Sequence, residues 1–198
     1  MMASKKLIEN TLASLDFCLK GRKDFFLTSS FGYQSSLLFF LMAELGVHVR
    51  CLYVRSNLSM HGIDQQMDYI INNFDVDLEV VDRSDWLKNE LRGDEFLMLD
   101  SDRRESICRN LKRQPLLDYI KSNSFKIWIS GIRKDQTEAR GAIQFMSVTD
   151  LSVIKLSPLF AWSKNDVKDL MINNNLKVNE EYVDLCKFNE SNECGLHF

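Results

Sequence analysis

Apolar and polar positions along the chain alternate between the period of a helix and the period of a strand. Apolar residues three and four positions apart predict helices, which cover 4–20, 35–45, 63–74, 85–91, 104–122 and about 164–173. Runs rich in β-branched and aromatic residues predict five strands, which cover 25–29, 47–54, 78–81, 127–129 and 153–156. This alternation favours a doubly wound, mainly parallel α/β sheet with helices on both faces, which binds ligands at the carboxyl ends of its strands.

The bulk properties of the chain narrow its function class. Its 198 residues, 45% of them hydrophobic and 27% charged, are typical of one soluble globular domain. A net charge of −3 argues against a nucleic-acid binder but permits an anionic small ligand. Since no apolar run approaches the ~20 residues of a membrane span and the N-terminus lacks a signal peptide's apolar core, we expect a cytoplasmic protein with no membrane partner.

The cysteines are odd in number and irregular in spacing. They are Cys18, Cys51, Cys108, Cys186 and Cys194. This pattern does not favour a secreted disulfide framework. We therefore expect each of them to be a buried thiol, a metal ligand or a nucleophile.

A serine-rich segment joins the first predicted strand to the next helix. Its candidate anion-binding residues are Ser29, Ser30, Phe31, Gly32, Ser35 and Ser36. Small residues before a helix N-terminus offer backbone N–H donors and a favourable dipole to a phosphate group. An ordinary strand-to-helix turn with a serine cap is the alternative interpretation.

A basic cluster follows the strand predicted at 127–129. Arg133 and Arg140 stand beyond the carboxyl end of that strand, where guanidinium groups can bind phosphate or sulfate through paired hydrogen bonds. Lys155, in the last predicted strand, is a further candidate for anion contact. A solvated run of surface charges is the alternative for 133–140.

Cys194 and His197 form a Cys-x-x-His pattern near the C-terminus. A thiolate here would be a good nucleophile toward sulfur, and positive charge from Arg133, Arg140 or a protonated His197 would favour the thiolate form. Half of a zinc site, completed by Cys108 and Cys186, is the alternative.

Four segments in this order resemble the signatures of the phosphoadenylyl-sulfate (PAPS) reductase family. They are Ser-Phe-Gly-x-x-Ser at 30–35, Gly-Ile-Arg-Lys-Asp-Gln-Thr-x-x-Arg at 131–140, Lys-x-x-Pro-Leu-x-x-Trp-Ser-x-x-Asp-Val at 155–167 and Glu-Cys-Gly-Leu-His at 193–197. The resemblance implies a five-stranded PP-loop fold of the adenine nucleotide alpha-hydrolase type. It further implies a nucleotide-binding domain at 1–180 and a mobile C-terminal tail at 181–198, which carries the catalytic Cys194.

The same resemblance implies thiol-dependent reduction of PAPS to sulfite and adenosine 3′,5′-bisphosphate, a reaction of sulfate assimilation. Cys194 would attack the sulfate sulfur and form an S-sulfo intermediate, and His197 would orient the tail or tune Cys194. Thioredoxin or glutaredoxin would supply the electrons without a bound cofactor, and a homodimer is left open. Binding of PAPS or a related adenylyl-sulfate nucleotide is implied for the serine-rich segment, Arg133, Gln136, Arg140 and Lys155.

Two rival functions stay open at this point. ATP pyrophosphatases usually carry Ser-Gly-Gly-x-Asp-Ser, whereas this chain has Phe31 and Gln34 at the second and fifth positions, which disfavours ATP cleavage. A non-catalytic nucleotide-binding module is favoured by the segment 55–63, which departs from the family's Asp-Thr-x-x-x-x-Pro-Glu-Thr. The iron–sulfur members of the family carry four cluster-binding cysteines, and this chain has only part of that set. This favours an enzyme without a cluster and without metal ligands.

Overall fold

The computed structural model describes residues 2–56, 58–60, 62–90, 93–150 and 152–187. Its α-helices are α1 (Met2–Leu19), α2 (Ser35–Glu44), α3 (Ile63–Asn73), α4 (Ser84–Glu90), α5 (Ser101–Asn123) and α6 (Lys164–Asn173). Its strands are β1 (Phe25–Thr28), β2 (Val49–Arg55), β3 (Ser59–Met60), β4 (Val76–Asp82), β5 (Ile127–Ser130), β6 (Met146–Val148), β7 (Ile154–Leu156) and β8 (Val183–Asp184). Short 3₁₀ helices cover Gly93–Met98, Lys134–Gln136, Glu138–Ala142 and Leu185–Lys187.

The main sheet has six strands in the order β4-β2-β1-β5-β7-β6. All neighbouring pairs are parallel except β6 with β7, and β3 pairs with β8 in a separate antiparallel sheet. The predicted fold class is therefore confirmed, but the predicted count of five strands is wrong. The strand missing from the prediction is β6, whose three residues are all exposed, so it has no buried face to produce a periodic apolar pattern.

The order of strands changes direction at β1. Successive connections place β2 on one side of β1 and β5 on its other side, where Thr28 is in register with both Leu52 and Ser130. Because the chain leaves these strands toward opposite sides, a crevice opens between the carboxyl ends of β1 and β5.

Two apolar cores fix the sheet between its helices. Phe25 and Leu27 of β1 face the larger core, which α1, α2, α3 and α6 cover. Phe26, between them, faces the opposite side, where it packs with Trp128 and with Leu116 of α5. This strict alternation in one strand explains why helices are required on both faces of the sheet.

Helix α6 begins where the sequence predicts. Ser163 caps α6, and its hydroxyl accepts the N–H of Asp166 while the Asp166 carboxylate accepts the N–H of Ser163. Pro115 lies inside α5, which continues through it to Asn123. Within the described ranges, no helix is both long and apolar enough to cross a membrane.

Candidate functional site

A cavity of about 300 Å³ lies at the carboxyl ends of β1 and β5. Apolar side chains from the strands and flanking helices form much of its wall: Leu27, Leu38, Phe39, Leu52, Val54, Leu116 and Ile132. Residues with polar side chains, two glycines and three tyrosines form the remainder: Thr28, Ser29, Ser30, Gly32, Tyr33, Gln34, Ser35, Tyr53, Lys112, Ser130, Gly131, Gln136, Arg140, Tyr182 and Asp184. A cavity lined by both apolar and polar groups suits a ligand that combines an aromatic ring with an anionic group.

The serine-rich segment forms a compact turn at the edge of this cavity. The Phe31 N–H donates to Ser29 Oγ at 3.0 Å, and the Ser35 hydroxyl donates to the Gly32 carbonyl at 2.8 Å. α2 then begins at Ser35, and the side chain of its N-cap residue, Gln34, makes no capping hydrogen bond. Since Ser35 lines the cavity, the positive end of the helix dipole adjoins it and favours a bound anion.

Phe31 does not line the cavity and instead packs into the larger core next to the turn. Its backbone is left-handed, with φ of 52°, and its side chain is fully buried between Phe39 and Tyr53. The side chain of Asn179 donates to the Phe31 carbonyl at 3.1 Å. A bulky residue keeps this unfavourable conformation because its ring is packed on all sides.

Gln34 links the turn to the segment after β5. Its side-chain amide donates to the Gly131 carbonyl at 2.5 Å, and its oxygen accepts from the Arg133 guanidinium. Arg133 is buried and also donates to the Asp135 carboxylate at 2.8 Å. Arg133 is not among the cavity-lining residues, so the structure places it as a support for Gln34.

Arg140 and Gln136 line the cavity directly. The Arg140 guanidinium donates to Gln136 Oε1, which also accepts the Arg133 N–H at 3.0 Å. Arg140 is therefore the predicted guanidinium group that the structure brings to the cavity wall, together with Ser29, Ser30, Gly32 and Ser35 of the turn.

Ser36 and Lys155 lie away from the cavity wall. The Ser36 hydroxyl is buried, donates to the Lys177 carbonyl at 2.7 Å and accepts from Gln66 at 2.6 Å. Lys155 is also buried, and its ammonium group lies 4.6 Å from the centre of the Trp128 ring. The predicted binding roles of both residues stay predictions.

Among the cavity residues that the sequence did not predict, three polar ones lie together. Lys112 of α5 forms a buried ion pair with Asp184 at 3.1 Å, and the Tyr182 hydroxyl donates to the same carboxylate at 3.2 Å. The Tyr182 ring lies so close to Gly32 that a Cβ there would come within 3.0 Å of it. Since Lys112 and Asp184 are 72 residues apart and neither belongs to a local motif, only the fold shows that they meet.

Tyr53 provides a buried phenol on the cavity wall. Burial raises its pKa above the ordinary value, and the neighbouring Tyr182 acts in the same direction. The Tyr53 hydroxyl therefore remains protonated at neutral pH and can act as a hydrogen-bond donor.

Two of the five cysteines depart from the expectation drawn from the sequence. Cys108 of α5 and Cys186, just after β8, form a disulfide, with their Cα atoms 6.0 Å apart. Expecting both as thiols or metal ligands was wrong, because the fold brings together two residues separated by 78 positions. Cys18 and Cys51 are free. The described residues contain no group of three or more histidine, cysteine or acidic side chains that could hold a metal ion.

Cys194 and His197, the predicted catalytic residues, lie outside the described residues. The described part of the predicted tail, up to Lys187, includes β8 and Cys186, which contact the rest of the domain through β3 and α5. Two residues of this segment, Tyr182 and Asp184, line the cavity.

Comparison with known proteins agrees with this geometry. The sequence profile of the phosphoadenosine phosphosulfate reductase domain matches residues 24–185, which span every cavity-lining residue. The chain belongs to this family. The predicted resemblance to the family is thus confirmed, and three of the four segments, those at 30–35, 131–140 and 155–167, lie inside the matched range.

Individual relatives of the chain include reductases of two nucleotides. Phosphoadenosine 5′-phosphosulfate reductase of Buchnera aphidicola subsp. Acyrthosiphon pisum (strain 5A) is 25% identical over 161 residues, which are 80% of this chain and 65% of that protein. Adenosine 5′-phosphosulfate reductase of Bacillus cytotoxicus is 22% identical over 173 residues, 86% of this chain and 73% of the relative. This chain thus spans just under two thirds of the Buchnera reductase.

A solved structure supports the fold. The phosphate complex of PAPS reductase from Candida auris aligns with a TM-score of 0.67 at 16% identity, over 90% of this chain and 88% of that one. At this identity the alignment establishes the shared architecture alone.

Proposed function

We propose that the protein reduces 3′-phosphoadenylyl sulfate to sulfite and adenosine 3′,5′-bisphosphate, with Cys194 as the nucleophile. One observation carries this proposal: the serine-rich turn, the N-terminus of α2 and Arg140 line a single cavity at the switch point of a PAPS-reductase-family sheet. Each of these groups attracts anions, and together they suit the phosphosulfate of such a nucleotide.

The apolar and the polar residues of the cavity suit different groups of the substrate. Leu52, Val54 and Leu116 offer apolar surface to an adenine ring, and the turn at 29–35 offers backbone and hydroxyl donors to phosphate oxygens. Gln34 stands where ATP pyrophosphatases have an aspartate. Its side-chain amide N–H and oxygen are hydrogen-bonded to the Gly131 carbonyl and the Arg133 guanidinium. Gln34 therefore stabilises the site and brings no carboxylate to it. This argues for sulfonucleotide binding over ATP cleavage.

In the proposed chemistry, the Cys194 thiolate attacks the sulfate sulfur of the nucleotide. A sulfur–sulfur bond forms, the bond from sulfur to the phosphate oxygen breaks, and adenosine 3′,5′-bisphosphate leaves with that electron pair. A thiol of thioredoxin or glutaredoxin then attacks the Cys194 sulfur and displaces sulfite, and a second thiol of the reductant resolves the mixed disulfide. His197 orients or tunes Cys194, and the protein itself requires no bound cofactor for this sequence.

The proposal also covers the setting of the reaction. The protein works in the cytoplasm in sulfate assimilation, with a domain at 1–180 that binds the nucleotide and a tail at 181–198 that brings Cys194 to it. Gln136 and Arg140 contact the substrate, and Arg133 holds Gln34 in place through its hydrogen bond.

Sulfite formation from PAPS or from adenylyl sulfate, with thioredoxin as reductant, tests the proposal. We expect turnover with PAPS, a loss of several orders of magnitude in Cys194→Ser, and near-normal product binding in that variant. Cys18→Ser, which removes a free cysteine on α1, is the matched control and should retain full activity. Without reductant, mass spectrometry should find the added sulfonate on the peptide that contains Cys194.

Other outcomes identify the rival functions. Pyrophosphate release from ATP without sulfite formation would indicate an ATP pyrophosphatase-like enzyme. Nucleotide binding without either product would indicate a non-catalytic module, and sulfite from adenylyl sulfate alone would replace the proposed substrate.

A further inference from the structure

The disulfide between Cys108 and Cys186 joins two parts of the chain that both contribute to the cavity. Cys108 lies one helical turn before Lys112 on α5, and Cys186 lies two residues after Asp184. Both cysteines are buried, in a small apolar core that includes Leu58. Their Cα separation of 6.0 Å lies in the range of ordinary disulfides.

Within the part of the chain that the structure describes, short backbone pairings attach the segment 182–186 to its neighbours. Among the described residues, the two residues of β8 pair with the two residues of β3, and the Leu185 N–H donates to the Leu58 carbonyl at 2.9 Å. Two-stranded pairings of this size have little stability of their own. The covalent link at Cys186 therefore makes a large contribution to keeping the segment on α5.

The same segment forms part of the cavity wall. Tyr182 packs on Gly32 of the serine-rich turn. The Asp184 carboxylate forms the ion pair with Lys112 and accepts the Cys186 N–H at 3.0 Å. Motion of Cys186 away from Cys108 would displace Asp184 and Tyr182 with it.

We propose that Cys108 and Cys186 form a redox-sensitive tether, which strengthens nucleotide binding when oxidised and weakens it when reduced. A dithiol supplies the two electrons and two protons: one thiolate attacks a sulfur of the pair, and the second thiol closes the reductant's own disulfide and leaves Cys108 and Cys186 as thiols. The proposed reaction consumes reductants of this class, so the tether would respond to the supply of the same thiols. The redox-sensitive tether does not depend on the proposed function, whereas its effect on nucleotide binding rests on that function.

The experiment compares oxidised and reduced protein in a Cys194→Ser background. This substitution prevents thiol–disulfide exchange between Cys194 and the Cys108–Cys186 disulfide. Alkylation under denaturing conditions followed by mass spectrometry reports the state of each cysteine. Hydrogen exchange reports the protection of the Leu185 and Cys186 amides, and calorimetry reports the dissociation constant of adenosine 3′,5′-bisphosphate. Reduction should lower this amide protection and raise the dissociation constant at least about fivefold, the lower end of typical coupling between sites.

Matched variants separate the tether from general effects of the reductant. The double variant Cys108→Ser and Cys186→Ser should give the same exchange and affinity under both conditions, while Cys18→Ser should keep the full response. Should the double variant fail to fold, the comparison of oxidised and reduced protein still decides the matter.

Four further results would contradict the tether, its coupling to the site or the proposed function. Alkylation of Cys108 and Cys186 in the oxidised sample, or equal amide protection in both states, would rule out the tether. A tether that changes protection but leaves the dissociation constant unchanged would rule out its coupling to the site. A redox-dependent change in protection, with no nucleotide bound in either state, would support the tether and contradict the proposed function.

Discussion

Lys112 and Asp184 form a buried ion pair across the cavity edge, with Lys112 Nζ 3.1 Å from Asp184 Oδ2. The carboxylate also accepts hydrogen bonds from the Tyr182 hydroxyl and the Cys186 N–H. Two charges removed from water repay their desolvation only with such additional bonds. The pair therefore attaches the chain after Asn179 to α5 and fixes one side of the candidate site.

Asp184→Leu should destabilise the protein by about 3–5 kcal/mol, because it leaves the Lys112 ammonium buried without its carboxylate partner. Urea unfolding would measure this change. The double variant Lys112→Met and Asp184→Leu should recover part of the loss, since it removes both charges together. A double variant less stable than Asp184→Leu would contradict the pairing.

Arg140→Ala should weaken binding of adenosine 3′,5′-bisphosphate by about 1.5–3 kcal/mol, the range for hydrogen bonds to charged groups. Arg140→Lys should lose less, because it keeps the charge but not the planar fork of donors. Calorimetry would measure both dissociation constants.

Lys134→Ala is the matched control for the Arg140 variants. Lys134 belongs to the same basic segment, but its ammonium group lies 5.0 Å from the centre of the Phe160 ring and it does not line the cavity. Its loss should leave the dissociation constant unchanged. Equal effects of Lys134→Ala and Arg140→Ala would indicate a diffuse charge effect in place of a specific contact.

The distribution of apolar residues accounts for most of the fold that the sequence could predict. Buried strands such as β1 and β5 have continuous apolar runs, and α6 has a local capping motif, so each was identified from its own residues. β6 could not be identified in this way, because its pairing with β7 depends on a neighbour and its own side chains are exposed.

The site was predictable only where its residues form local motifs. The turn at 29–35 and Arg140 belong to such motifs, and both line the cavity. The ion pair of Lys112 with Asp184 and the disulfide of Cys108 with Cys186 arise from chain packing over more than 70 residues, which no local pattern encodes. Arg133 shares the motif of Arg140, yet its hydrogen bonds to Gln34 and Asp135 turn it away from the wall.

Phe31→Ala should destabilise the protein by about 3–5 kcal/mol, because it opens a cavity in the larger core. Phe31→Gly should be less destabilising than Phe31→Ala by about 1 kcal/mol, since glycine adopts a φ of 52° without steric cost. Urea unfolding of the two variants measures the difference.

Phe39 offers the opposite expectation as a control. It is equally buried but lies inside α2, where glycine is less favourable than alanine by about 1 kcal/mol. Phe39→Gly should therefore be less stable than Phe39→Ala. The same order of stability at both positions would argue against a left-handed Phe31.

His48 should make the stability of the protein depend on pH at the amino-terminal edge of the sheet. Its two ring nitrogens lie 2.8 Å from an Asp75 oxygen and 3.0 Å from an Asp77 oxygen. The hydrogen bond to Asp75, followed by that to Asp77, raises the pKa of His48 above its ordinary value. Because the folded protein holds this proton more tightly than the unfolded chain, the stabilisation is fully present below the unfolded pKa of about 6.5 and is lost as pH rises through the folded pKa.

His48→Gln should therefore reduce the free energy of unfolding more at pH 6 than at pH 9. Urea unfolding of both proteins at the two pH values measures this difference, and the other histidines cancel because both proteins contain them. The side chain of His48 is about half exposed, so 0.5 M salt should reduce the difference at pH 6 by screening the pair. A stability difference that stays constant from pH 6 to pH 9 would show that a charged His48 does not contribute to the folded state.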